Sequence, residues 1–120
     1  MTPFGARIRA LRRERGVAQK EMAAALGVSP AYLSALEHGR RGGPSWPLVQ
    51  KIIGYFNVIW DEAEELERLA RRSHPRVAVD TAGLSPSATA FANLLSETIA
   101  ELDDETIEAL TALISSGRKP

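Results

Sequence analysis

Apolar residues in the first 73 positions recur at helical spacing in five runs, each closed by a break. Phe4, Ile8 and Leu11 fall at i, i+4 and i+7, and Gly16 ends that run. Met22, Ala23 and Leu26 form the second stripe and Gly27 interrupts it; Leu33 and Leu36 form the third, closed by Gly39. The fourth runs through Leu48 or Val49, Ile52, Ile53 and Phe56 and breaks around Asn57, and DEAEELERLARRS continues from Trp60 as a charged helix carrying Leu66 and Leu69. Start signals agree with these stripes. Thr2, Ser29 and Ser45 each offer a hydroxyl to cap a helix, with Pro3, Pro30 and Pro47 in the first turn, where a missing N–H costs nothing. The second helix has Ala18 at that position, and lacking a polar cap typically costs ~1 kcal/mol. Glu64 with Arg68 and Glu67 with Arg71 have the favourable i, i+4 order for surface ion pairs.

Beyond residue 73 the pattern changes. HPRVAVDTAG, residues 74–83, opens with a helix-stopping Pro75, and Val77 and Val79 alternate with other residues as a short strand would. So short a strand has no stability of its own, so the segment is either an extended linker or a strand that pairs with its copy in a second subunit. Ser85 and Pro86 then repeat the cap-plus-proline start, and Leu84, Ala88, Phe91, Leu95, Ile99 and Leu102 mark one continuous apolar face. Asp103 caps a last helix with Ile107, Leu110 and Leu113 or Ile114 inside and Gly117 at its end. Three segments follow: 1–73 as one helical domain, 74–83 as linker or strand, and 84–117 as a helical hairpin. Two amphipathic helices have too little to bury against each other, so the hairpin either folds back onto the N-terminal half or self-associates as a dimerising bundle.

The segment from Gln19 to Gly39, QKEMAAALGVSPAYLSALEHG, organises the rest. Gly27 suits the left-handed position past a helix end, and Ser29 starts the next helix two residues later. Two helices joined by so tight a turn cross steeply rather than lie antiparallel. That is helix-turn-helix geometry, in which the second helix projects and can enter a DNA major groove.

Charge distribution supports a polyanionic ligand. The chain of 120 residues has a formal net charge of zero. Residues 1–60, however, hold nine basic and three acidic groups, whereas residues 61–120 hold six and twelve. The absence of cysteine removes disulfides and thiolate metal sites. No apolar run approaches a membrane span, and TPFGARIRALRR has no signal-peptide core, so the expected location is the cytoplasm. His38 and His74 have no second ligand at metal spacing, which predicts neither metal nor other cofactor. Asp103, Asp104 and Glu105 are explained by the positive end of a helix dipole, and no nucleophile–base constellation or phosphate-cradling loop is present, so no enzyme activity is expected. Trp46 and Trp60 read as core or interface packing rather than ligand cages.

Taken together, Ile8, Leu11, Arg12 and Gly16, then Gln19–Ala23, Leu26–Ser29, Tyr32–Glu37 and Gly39–Arg40 resemble the Xre/Cro-type helix-turn-helix family of bacterial and phage transcriptional regulators, over about residues 4–60. The resemblance implies an all-α, lambda-repressor-like domain of four to five helices, here followed by the two-helix C-terminal segment. It further implies a homodimer on a roughly palindromic double-stranded operator, in the cytoplasm of a bacterium or in a phage system. Gln19 is where the family anchors its second helix to a phosphate, with Lys20 beside it. Ser29, Pro30, Ala31, Tyr32, Ser34 and Ala35 occupy the start of the reading helix, and His38, Arg40 and Arg41 follow as DNA contacts. Arg12 and Glu37 match a structural ion pair between the first and third helices.

Pro30, Ala31 and Ala35 depart from the polar residues many relatives carry at base-reading positions, leaving Tyr32 and Ser34 as polar candidates. An alanine can still pack on a thymine methyl, and specificity then leans on DNA shape. The sequence thus predicts a sequence-specific DNA-binding regulator, a homodimeric repressor. The alternative is an antitoxin whose acidic C-terminal half binds a toxin protein while the N-terminal half represses the shared operon.

Overall fold

Every element that forms is a helix, and most begin at a side-chain cap. The structure, a computed structural model, describes residues 1–40 and 43–119, and among them there is no strand. The helices are α1 (Pro3–Glu14), α2 (Gln19–Leu26), α3 (Pro30–Glu37), α4 (Trp46–Phe56), α5 (Asp61–Arg71), α6 (Pro86–Thr98) and α7 (Asp104–Ser116), with a 3₁₀ turn at Ile99–Glu101. Thr2 Oγ1 accepts from the Gly5 amide at 3.0 Å, Ser29 Oγ from Tyr32 at 3.0 Å, and Ser85 Oγ from Ala88 at 3.2 Å. Asp103 accepts from the Thr106 amide at 2.8 Å, and hydrogen bonds from Thr106 hold its carboxyl below the usual carboxylate range. Only α2 and α5 start without a side-chain cap, at Ala18 and Trp60.

The ends of the first four helices repeat one device. After α1, Gly16 donates to the Arg13 carbonyl and Val17 to that of Arg12; after α2, Gly27 donates to Ala24 and Val28 to Ala23. After α3, Gly39 donates to Leu36 and Arg40 to Ala35; after α4, Asn57 donates to Gly54 and Val58 to Ile53. Each is the paired closure that needs a left-handed residue just past the helix, here at φ 64°, 74°, 72° and 53°. The next residue usually makes an apolar contact back onto the helix, and Val17, Val28 and Val58 all pack on the core. Arg40 is the exception: its backbone is held in the same way, yet its side chain is exposed.

The chain divides into two units, Met1–Val77 and Ala78–Pro120. In the first, Phe4, Ile8 and Leu11 of α1 meet Met22, Leu26, Leu33, Leu36, Val49, Ile52, Phe56 and Leu66 in one buried cluster. Burying each such side chain is worth ~1.5–3 kcal/mol, so this unit closes its own core. Both Leu48 and Val49 are buried, while Ile53 and Leu69 pack at its edge. The second unit has no such core: neither α6 nor α7 contains a buried residue.

Several expectations need correction. Trp60 does not begin α5 in helical conformation or enter the core. It stands at the cap position with φ 54° and ψ −124° and is 81% exposed. Trp46, in the first turn of α4, is 54% exposed. The pairs Glu64–Arg68 and Glu67–Arg71 are not closed; exposed pairs gain too little to fix two long side chains. Val77 and Val79 are exposed, with no strand partner among the described residues, which agrees with an extended linker and equally with a strand that pairs only with a second subunit.

Candidate nucleic-acid interface

Helix α3 is held along one face and at its far end, and its start is left open. Leu33 and Leu36 are buried in the cluster. Glu37 is 0% exposed, and both its carboxylate oxygens accept from Arg12: Nε to Oε2 and Nη2 to Oε1, each at 3.0 Å. Arg12 Nη1 also donates to the Val17 carbonyl at 3.0 Å. The hydrogen bond to Glu37 raises the guanidinium pKa further, against the opposing effect of burial. One arginine therefore ties α1 both to α3 and to the turn before α2. The bidentate geometry suits a buried carboxylate, because the fork satisfies both oxygens at once.

Two glycines permit the close approach of α1 and α3. A Cβ on Gly5 would fall on the Leu36 carbonyl oxygen and 2.7 Å from that of Glu37. A Cβ on Gly39 would meet the Thr2 nitrogen at 2.6 Å, so the start of α1 abuts the end of α3. Ser73, buried just past α5, completes the arrangement. Its Oγ accepts from the Phe4 amide at 2.9 Å and donates to the Leu69 carbonyl at 2.5 Å. The first turn of α1 is thus satisfied by Thr2 locally and by Ser73 from 69 residues away.

The residues singled out by sequence fall into different surroundings. Ser29, Pro30 and Ala31 are exposed, while Tyr32, Ser34 and Ala35 are half-buried. Tyr32 packs against the core and lines an open hollow with Val28, Pro47, Leu48 and Lys51. His38 is exposed and its Nδ1 lies 2.8 Å from the Ser34 carbonyl, which can only accept; Nδ1 therefore carries the proton. Gln19 is half-buried at the uncapped start of α2, and Lys20 and Arg40 are exposed. Arg41 lies outside the described residues. Arg15, the residue just past α1, lies over the Phe56 ring at 5.9 Å. No group of His, Cys, Asp and Glu suited to a metal occurs among the described residues. Nor is any helix among them long and apolar enough to cross a membrane.

Sequence reasoning passed over Gly5, Val58 and Ser73. Val58 had a readable signal, since a glycine or asparagine followed by valine closes the first, second and fourth helical stripes. Ser73 had none, because its partner is brought to it only by the fold.

Residues 3–72 match the helix-turn-helix domain family. This chain belongs to that family. Among curated relatives from Bacillus subtilis (strain 168), it is 40% identical over 61 residues to the HTH-type transcriptional repressor RghR, covering 51% of this chain and 45% of RghR. It is 34% identical over 61 residues to the uncharacterized HTH-type transcriptional regulator RghRB, covering 51% of this chain and 44% of that protein. The uncharacterized HTH-type transcriptional regulator YazB is 37% identical over 65 residues, 54% of this chain and 93% of YazB. The match spans a little under half of the two RghR-type relatives and nearly all of YazB. The short α2 and α3, joined through Gly27, Val28 and Ser29, are the helix-turn-helix for which the matched family is named.

Proposed function

We propose that this chain is a DNA-binding transcriptional regulator, a homodimeric repressor that lays the start of α3 in the major groove of a palindromic operator. The observation that carries it is the asymmetry of α3. Its apolar face and C-terminal end are fixed by Leu33, Leu36, Glu37 and Gly39, whereas Ser29, Pro30 and Ala31 are exposed. A rigid helix with a free leading turn is what groove insertion requires. Pro30 and Ala31 offer apolar contact to a thymine methyl, and Tyr32, Ser34, Ala35 and His38 complete the surface facing the bases.

Arg40 has the strongest case as a phosphate contact. It replaces the core-seeking valine found after the other three helices, while its backbone stays pinned to Ala35. Arg41 continues that cationic run. On the other side, Gln19 and Lys20 stand at the uncapped start of α2, where amide donors and the helix dipole favour an anion. The relatives' names as transcriptional regulators, and RghR's as a repressor, agree with this function.

A selection from random duplexes, followed by affinity measurement on the winning sequence, tests it. Tyr32→Ala and Ser34→Ala should change the preferred sequence without unfolding the domain. Lys20→Ala and Arg40→Ala should weaken binding to all duplexes alike. An unaltered preference in the first pair of variants would contradict the placement of α3. An antitoxin function is favoured by one observation, the acidity of residues 78–120, with seven acidic groups against two basic ones. A small basic protein binding full-length chain tightly would favour that alternative.

A further inference from the structure

We propose that α6 and α7 form the dimer contact by packing against the same two helices of a second copy in antiparallel fashion. The acidic junction of one copy then lies beside the basic C-terminal tail of the other. This rests on the homodimer proposed above and names the surface that makes it.

The two helices are unfinished as a fold. Leu84, Phe91, Leu94, Ile99, Leu113 and Ile114 are exposed, no residue of either helix is buried, and the helices make only slight contact with each other. Their composition fits a hidden surface. No charged residue occurs from Thr81 to Ser96, nor from Ala109 to Gly117, in a chain with 25% charged residues. Water-facing helices carry charge; helices that are apolar or small on all sides are covered.

The charges that do occur select the occupant and its direction. Glu97, Glu101, Asp103, Asp104, Glu105 and Glu108 cluster at the α6–α7 junction, while Arg118 and Lys119 follow α7. A parallel pair would bring both acidic clusters to one end, where like charges repel. An antiparallel pair of α7 helices places the acidic starts at opposite ends, each beside the two cations that follow α7 of the other copy. The complement to this surface is therefore present in the chain itself, as a two-fold, self-complementary interface requires. The apolar stretches between the charged ends supply the contact area.

Sedimentation equilibrium of the full-length chain tests the proposal. Wild type should be dimeric at tens of micromolar, and L113E/I114E should be monomeric there while the urea transition of the first unit is unchanged. R118E/K119E, which alters only exposed tail positions, should weaken dimerisation by about tenfold or more. Adding E97K/E101K/E105K/E108K to that variant leaves Asp103 and Asp104 against four lysines, so both ends are reversed, and should restore most of the loss. A monomeric wild type would overturn the proposal, whether a foreign protein or the chain's own first unit then covers the face. A dimer indifferent to L113E/I114E would overturn the interface, and one strengthened by R118E/K119E would overturn the antiparallel direction. None of these results touches the placement of α3. Conversely, a wild-type dimer that binds no duplex would refute the DNA reading and leave this interface standing.

Discussion

Removing Arg12 should cost far more than removing a surface arginine. Glu37 is fully enclosed, at 0% exposure, and Arg12 is the partner of both its oxygens; the Arg12 side chain itself is only 14% exposed. In Arg12→Ala the carboxylate loses both donors without gaining water, and the Val17 carbonyl loses a third. Breaking a buried pair from one side typically costs ~3–5 kcal/mol, against ~0–1 kcal/mol for an exposed pair. A small domain has ~5–15 kcal/mol in total, so the variant should be close to unfolding at physiological temperature. The double variant Arg12→Met/Glu37→Leu should recover most of the loss, because it leaves no buried charge behind. Urea titration followed by far-UV circular dichroism, with linear extrapolation, measures all three proteins. A loss below ~1 kcal/mol in Arg12→Ala would show that the pair behaves as a surface bridge and would refute the role assigned to it. So would a double variant no more stable than the single one.

The remaining predictions concern the supports of α3 and its ligand. Gly5→Ala should destabilise by ~1–3 kcal/mol, because the new methyl meets backbone oxygens of Leu36 and Glu37 that cannot swing aside; a neutral effect in urea titration would contradict that close approach. Ser73→Ala should cost ~1–2 kcal/mol, since the buried Phe4 amide loses its acceptor. Trp60→Gly should stabilise, or at worst be neutral: the residue is at φ 54° and packs little, and relief of ~1–3 kcal/mol of strain offsets the added freedom of glycine. A lowered midpoint would show that the tryptophan has a partner within the domain. Lys20→Ala and Arg40→Ala should each reduce the log–log salt slope of duplex affinity by ~0.9 if each side chain neutralises one phosphate.

Much of the helical pattern was legible because three helix starts are written in two adjacent letters. Thr2–Pro3, Ser29–Pro30 and Ser85–Pro86 give both the cap and the first helical residue, and each cap bond is present. Local chemistry of this kind needs no knowledge of the rest of the chain. The Arg12–Glu37 pair was readable only through family resemblance, since a spacing of 25 residues has no local meaning. Ser73 and Gly5 were not readable, because their roles exist only after α1, α3 and the end of α5 have met. Trp60 misled for a physical reason: the residues after it, Glu62 to Arg71, form a helix readily, but α4 closes at Asn57 and the short link before Asp61 is not helical. Within that link the aromatic takes a positive φ of 54°. In α6 and α7 the apolar positions were clear from spacing, but spacing alone does not name what covers them; the second copy proposed above is an answer at the level of an assembly. For the proposed interface with DNA, the sequence pointed to α3; the exposure of Ser29, Pro30 and Ala31 and the pinned backbone of Arg40 required the fold.

The placement of α3 is tested most directly by dimethyl sulfate protection on a duplex obtained by selection with the full-length chain. Guanine N7 lies in the major groove, so a helix inserted there shields it. The expected result is two protected patches about one helical turn apart, ~34 Å along the duplex, both lost when Tyr32 and Ser34 are replaced together. A tightly bound duplex whose major-groove guanines all remain reactive would contradict the account, as would failure to retain any duplex at low salt.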